Sequence, residues 1–152
     1  MILPVTRNFA ALALLALLAL GACASRPAAP DHLPAADAAI DWNAAKTVTV
    51  KMTDFDFTPS AVDFEAARPV KLVLVNDGTD RHDFAAPAFF AAASLRQGST
   101  APAGGKVAVD KGKSAEIDLV PGAPGKYPLT CTEFLHEMFG MTGAITVTPA
   151  SH

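Results

Sequence analysis

Cys131, His136 and Met141 follow one another with four residues between each pair, inside the stretch from Tyr127 to Val147. A thiolate and a thioether are soft donors that favour Cu(I), and an imidazole suits either oxidation state of copper. A second imidazole, His82, stands 49 positions before Cys131, just after the turn-forming segment Asn76 to Arg81. Two histidines and one cysteine in a trigonal set, with a weak axial methionine, make a blue-copper donor set. Such a set is a compromise between the geometries of Cu(I) and Cu(II), so little has to move when one electron does. A loop clamped between two paired strands supplies the rigidity this requires.

The same residue types also occur in other chemistries. Cys131 with His82 or His136 would form a nucleophile–base pair, but a cysteine hydrolase also needs an oxyanion hole and an orienting group. Neither is evident in the chain. Zinc would accept one Cys and two His, yet it leaves the Met at the fourth position unexplained. Met138 lies two residues from His136, too close to reach an axial position without strain, and reads as packing or as an exposed apolar rim. Taken alone, His82 would be an ordinary structural histidine; its pairing with the cysteine loop is what singles it out. Phe134, Leu135 and Phe139 flank His136 either as core or as an apolar collar, the kind of patch that serves brief docking encounters. Glu133 and Glu137 would bias that surface towards basic partners. His32, in a polar spacer, and the terminal His152 read as solvated.

The elements that position these residues are short. Residues 47–52, 62–65, 70–75, 82–85, 106–109, 114–120, 127–132 and 143–148 read as β-type runs. Asn76-Asp77-Gly78 and Asp110-Lys111-Gly112-Lys113 mark turns between them. One stretch, 87–97, has helical character amounting to a turn or two. About eight strands with Gly- and Pro-rich turns predict an all-β sandwich.

The N-terminal segment has a different character. Arg7 and Asn8 precede an apolar run from Phe9 to Leu20, shorter than the about 20 residues a membrane-spanning helix needs. It fits a secretory signal over residues 1–22. Leu20-Gly21-Ala22-Cys23 resembles a bacterial lipobox, which implies lipidation of Cys23; the competing reading is ordinary signal cleavage with Cys23 incidental. Ala24 after the cysteine points to the outer membrane. Residues 23–45 are Ala/Pro-rich and read as a spacer; Trp42 marks the approach to a folded domain over 46–149. With Arg7 removed from the 12 basic residues and all 15 acidic ones kept, 11 basic residues leave a net charge of −4. A mildly acidic chain without a basic stripe excludes nucleic acid as a partner. In an oxidising compartment Cys131 is then a lone thiol that must be buried, metal-bound or paired with Cys23, the last being disfavoured by a tether of about a hundred residues.

Cys131-x4-His136-x4-Met141-x-Gly143, with Tyr127 before it and Ala144-Ile145-Thr146-Val147 after it, resembles the C-terminal motif of cupredoxins. Asn76-x-Gly78 with His82-Asp83-Phe84 resembles that family's first-histidine segment. The resemblance spans residues 47–149 and implies a Greek-key cupredoxin-like β-sandwich holding one copper ion as Cu(I)/Cu(II). It departs from the family at Asp83, where Asn is frequent. The carboxylate is expected to accept hydrogen bonds from the Thr132 N–H or hydroxyl, and to lower the reduction potential by its charge. The implied role is a non-enzymatic, monomeric, lipid-anchored electron carrier on the periplasmic side, docking transiently with envelope redox proteins. The alternatives are a copper-binding protein for tolerance, storage or delivery, and a structural subdomain that keeps the ligands.

Overall fold

The structure, a computed structural model, describes residues 40–151. Trp42–Ala44 form a 3-10 turn, capped where the Asp41 carboxylate accepts from the Asn43 N–H at 3.0 Å. Ten strands follow: β1 (Lys46–Thr53), β2 (Asp56–Thr58), β3 (Ala61–Glu65), β4 (Val70–Asn76), β5 (His82–Ala85), β6 (Ser94–Leu95), β7 (Lys106–Val109), β8 (Ser114–Val120), β9 (Gly125–Thr130) and β10 (Thr142–Thr148). One helix, α1 (Pro87–Ala92), lies between β5 and β6, with Pro87 in its first turn. Proline is tolerated there because that N–H has no partner within the helix.

The strands form two five-stranded sheets in the orders β2-β1-β4-β8-β6 and β3-β10-β9-β5-β7. The β1–β4 and β3–β10 pairs are parallel and the others antiparallel. β4 shows why this sequence makes strands. Val70, Leu72, Leu74 and Asn76 are buried while Lys71, Val73 and Val75 are half-buried. That period-2 pattern suits a strand with one face on a core. Val50, Leu72, Leu74 and Ile117 of the first sheet share one apolar cluster with Val62, Phe84, Leu129 and Ile145 of the second. Phe89 and Phe90 of α1 join it, with the Phe89 ring stacked on Phe64 at 5.2 Å. This is the all-β sandwich expected from the sequence.

Two of the strands, β2 and β6, leave no readable signal in the sequence. β2 has three residues and β6 has two, too few for alternation to register. β6 occupies part of the stretch read as helical: α1 ends at Ala92, Ala93 is extended, and Ser94 and Leu95 pair with Val120 and Leu119. The signal segment, Cys23, His32 and nearly all of the spacer lie outside the described residues. Among the described residues no helix is long and apolar enough to cross a membrane.

Candidate metal centre

His82 opens β5, Cys131 directly follows β9, and Met141 directly precedes β10. These three strands are neighbours in the second sheet: Thr130 pairs with both Ala85 and Thr142. The loop from Cys131 to Met141 is closed on itself by backbone bonds. Cys131 N–H donates to the Met141 carbonyl at 3.1 Å, and Met141 N–H donates to the His136 carbonyl at 2.9 Å. Leu135 (φ 66°) and Gly140 (φ 98°) adopt the left-handed backbone that so tight a path needs.

The loop brings His136 back against Cys131 and His82. Cys131 Sγ lies 3.5 Å from His136 Nδ1 and 4.0 Å from His82 Nδ1, and the two Nδ1 atoms are 3.1 Å apart. Donors held roughly 2.0–2.3 Å from a shared ion at the corners of a triangle would be about 3.5–3.8 Å apart. All three separations agree with that triangle to within about 0.5 Å. His82, Cys131 and Met141 are fully buried and His136 is 8% exposed. Burial pushes the Cys131 thiol above its ordinary value, opposed by the N–H groups of Asp83 and Glu133. A thiolate at this position therefore calls for a cation beside it. Soft sulfur with two imidazoles, and the buried Met141 joined through its backbone to both Cys131 and His136, fits one copper ion.

A network of side chains holds the loop in place. The buried Asp83 carboxylate accepts from the Thr132 N–H at 2.7 Å and from the Thr132 hydroxyl at 2.6 Å, so both expected bonds form. Asp83 N–H points at Cys131 Sγ, 3.4 Å away. The Asp83 charge has a counter-charge beside it, because Lys106 Nζ donates to Asp83 Oδ2 at 2.9 Å. That bond and the carboxylate's charge raise the Lys106 pKa, so the lysine stays a cation. Asn76, also buried, donates to the carbonyls of Asp80 and Val109 at 2.8 Å each and accepts from Gly78 N–H at 2.9 Å. Its side chain thereby fixes the turn leading to His82.

The turn between β1 and β2, unremarked in the sequence, reaches both histidines. Asp54 Oδ1 lies 3.0 Å from His82 Nε2, and the Phe55 ring meets His136 edge-on with centroids 5.1 Å apart. Hydrogen bonds from the Thr79 hydroxyl and N–H hold the Asp54 carboxyl below its usual range. Nothing in the spacing of Asp54 and His82 announces this contact. Lys106 becomes recognisable only with the β5–β7 register, which sets it opposite Ala85, two residues along from Asp83.

Around His136 the surface is apolar. Phe134 is 86% exposed, Met138 77% and Phe139 60%, with the Phe55 ring 4.9 Å from that of Phe139. Leu135 is half-buried. Of the two collar acids, Glu133 faces Arg81 at 3.7 Å, which leaves Glu137 to carry the acidic bias.

A family model described as a cupredoxin-like domain matches residues 10–147. The chain belongs to the cupredoxin-like family. Its domain is similar to the structure of auracyanin B, at 25% identity and a TM-score of 0.52 over 69% of this chain and 90% of that one. It is also similar to a dithionite-reduced auracyanin from Roseiflexus castenholzii, at 19% identity and a TM-score of 0.53 over 70% of this chain and 99% of that one. A multicopper oxidase from Campylobacter jejuni matches at 12% identity and a TM-score of 0.52, over 67% of this chain but 30% of the oxidase. The last two likenesses show the shared fold. No curated protein sequence matches the chain.

Proposed function

We propose that this cupredoxin carries single electrons, with His82, Cys131, His136 and Met141 holding one copper ion that supplies a Cu(I)/Cu(II) couple. The observation that carries the reading is the convergence of three buried donor atoms on one point, all within 4.8 Å of one another. The backbone bonds between Cys131, His136 and Met141, with the Asp83–Thr132 brace, resist rearrangement of that donor set. A centre held this firmly suits passing an electron better than releasing an ion. His136, the least buried of the four ligands, meets the Phe55 ring and shares its loop with the exposed Phe134, Met138 and Phe139, and is the exit for the electron. That apolar rim suits brief encounters with envelope redox proteins, the protein acting as a monomer rather than as an enzyme. Lipidation of Cys23 would hold it on the periplasmic side of the outer membrane.

Copper-loaded protein is expected to show intense visible thiolate-to-copper absorption; a colourless Cu(II) form overturns the centre. Fast self-exchange then marks a carrier, whereas slow exchange with very tight Cu(I) retention marks storage or delivery. Palmitate labelling of wild type and Cys23→Ser, with membrane fractionation, tests the anchor. Label and outer-membrane recovery should both be lost in the variant.

A further inference from the structure

We propose that Asp54 is a positioning residue for the metal centre, fixing the tautomer and ring plane of His82 from the turn between β1 and β2. This rests on the copper reading above for its purpose, although not for its geometry. The His82 ring has two ends. Nδ1 faces Cys131 Sγ and His136 Nδ1, and Nε2 faces Asp54 Oδ1 at 3.0 Å. An ionised carboxylate is an acceptor only, so the proton between the two belongs to Nε2. A neutral ring protonated at Nε2 presents its lone pair at Nδ1, the atom aimed at the other donors.

Asp54 is itself prepared for this. Thr79 N–H donates to Oδ1 and Oδ2 at 3.1 and 2.9 Å, and Thr79 Oγ1 donates to Oδ2 at 2.8 Å. With Oδ2 taken up by Thr79, Oδ1 is turned towards the imidazole. Gly78 closes over the bond: a Cβ at this position would lie 2.5 Å from His82 Nε2 and 2.7 Å from Asp54 Oδ1. The absent side chain at Gly78 is what lets the backbone pack against the contact. Asn76 accepts the Gly78 N–H, so the turn carrying Gly78 and Thr79 is anchored at one end to buried structure. The contact is therefore built from three segments, with a carboxylate, its holder and its cover each in place.

The orientation has a consequence for the metal-free protein. With the His82 proton committed to Asp54, His82 Nδ1 is left bare, facing His136 Nδ1 at 3.1 Å and Cys131 Sγ at 4.0 Å. That single His82 tautomer is resolved by nitrogen chemical shifts.

The test is 15N NMR of the histidine rings in copper-free wild type, Asp54→Ala, Asp54→Asn and Gly78→Ala, with Cu(I) affinity measured by competition against a chromophoric chelator. Wild type should show His82 protonated at Nε2 and bare at Nδ1. Asp54→Ala should show mixed His82 tautomers and a Cu(I) affinity about 10–100-fold weaker. Asp54→Asn keeps an accepting oxygen and should restore the tautomer and most of the affinity. Gly78→Ala leaves both partners present but wedges them apart, so it should mimic Asp54→Ala and carries the test should that variant not fold. A wild-type His82 protonated at Nδ1, or unaltered shifts and affinity in both Asp54→Ala and Gly78→Ala, overturns the proposal. The nitrogen shifts need no copper: if they behave as expected while wild type fails to bind the metal, the copper reading and with it the purpose of the contact fail, while the fixing of the His82 tautomer by Asp54 stands.

Discussion

Lys106 Nζ lies 2.9 Å from Asp83 Oδ2 and 2.6 Å from Thr132 Oγ1, so the buried carboxylate bracing the cysteine loop has a cation of its own. The brace is consequently a near-neutral unit. Removing the positive member stabilises Cu(II) over Cu(I), and removing the negative member does the reverse. Lys106→Gln should therefore lower the reduction potential and Asp83→Asn should raise it. Each shift is expected to be on the order of tens of millivolts, a one-electron couple moving about 59 mV per tenfold change in equilibrium constant. The double variant should fall between the two singles. Voltammetry across ionic strength checks this, because the partly exposed lysine is open to screening by salt. An unchanged potential in Lys106→Gln would show that Asp83 acts through its hydrogen bonds alone.

The rim around His136 separates docking from the properties of the copper itself. Phe134 and Met138 are largely exposed, so substituting them leaves little packing to lose. Met138→Lys and Phe134→Glu should each leave the visible spectrum and the potential close to wild type. Stability should change by no more than about 0.5 kcal/mol. The electron self-exchange rate should fall about tenfold or more, since charge now lies where two apolar rims must meet. Stopped-flow mixing or NMR line broadening reads that rate. Equal exchange in all three proteins would move the exit away from this face.

Much of the centre is legible in the sequence for a physical reason. Cys131, His136 and Met141 share a single loop between adjacent strands, so their spacing along the chain reflects their proximity in space. His82 is legible only through its pairing with that loop, the turn at Asn76 and Gly78 marking where its segment begins. The Asp83–Thr132 brace is legible beside them, but two other supports of the centre, Asp54 and Lys106, are hidden for the opposite reason. Asp54 reaches His82 across 28 positions of chain, from a turn whose second strand is three residues long and lacks a readable period. Lys106 meets Asp83 only through strand register. Its sequence neighbourhood, Gly-Gly-Lys-Val, reads as an ordinary exposed strand entry.

Gly143 illustrates a motif residue whose purpose is packing. A Cβ there would run into the carbonyl oxygen of Ser60, the same oxygen that accepts the Ala144 N–H at 2.8 Å. The obstacle is backbone and cannot swing aside. Gly143→Ala should therefore force the segment before β3 away from β10, close to where Met141 leaves the centre. Crowding of this kind costs about 1–3 kcal/mol. Urea denaturation should show a lower midpoint with an unaltered slope, the mark of a stability change without a change in the surface exposed. A midpoint equal to wild type would mean that β3 accommodates the methyl.

The C-terminal residues give a pH dependence well away from the metal. Glu65 Oε1 accepts from both the N–H and the hydroxyl of Ser151, each at 2.6 Å, and faces Arg68 Nε at 3.5 Å. The Ser151 bonds first, and Arg68 after them, hold the Glu65 carboxyl below its ordinary value of 4.5. A depressed folded pKa means that the ionised form favours the folded state. Its contribution is complete above the unfolded value of 4.5 and is lost as pH falls through the lower folded value. Wild type should thus be more stable than Glu65→Gln near neutral pH. The gap should close on acidification below 4.5, where protonation of Glu65 makes the two proteins alike. Thermal melts of both at matched pH read the gap directly. A difference that stays constant through the acid range would assign the effect of the substitution to lost packing instead of charge.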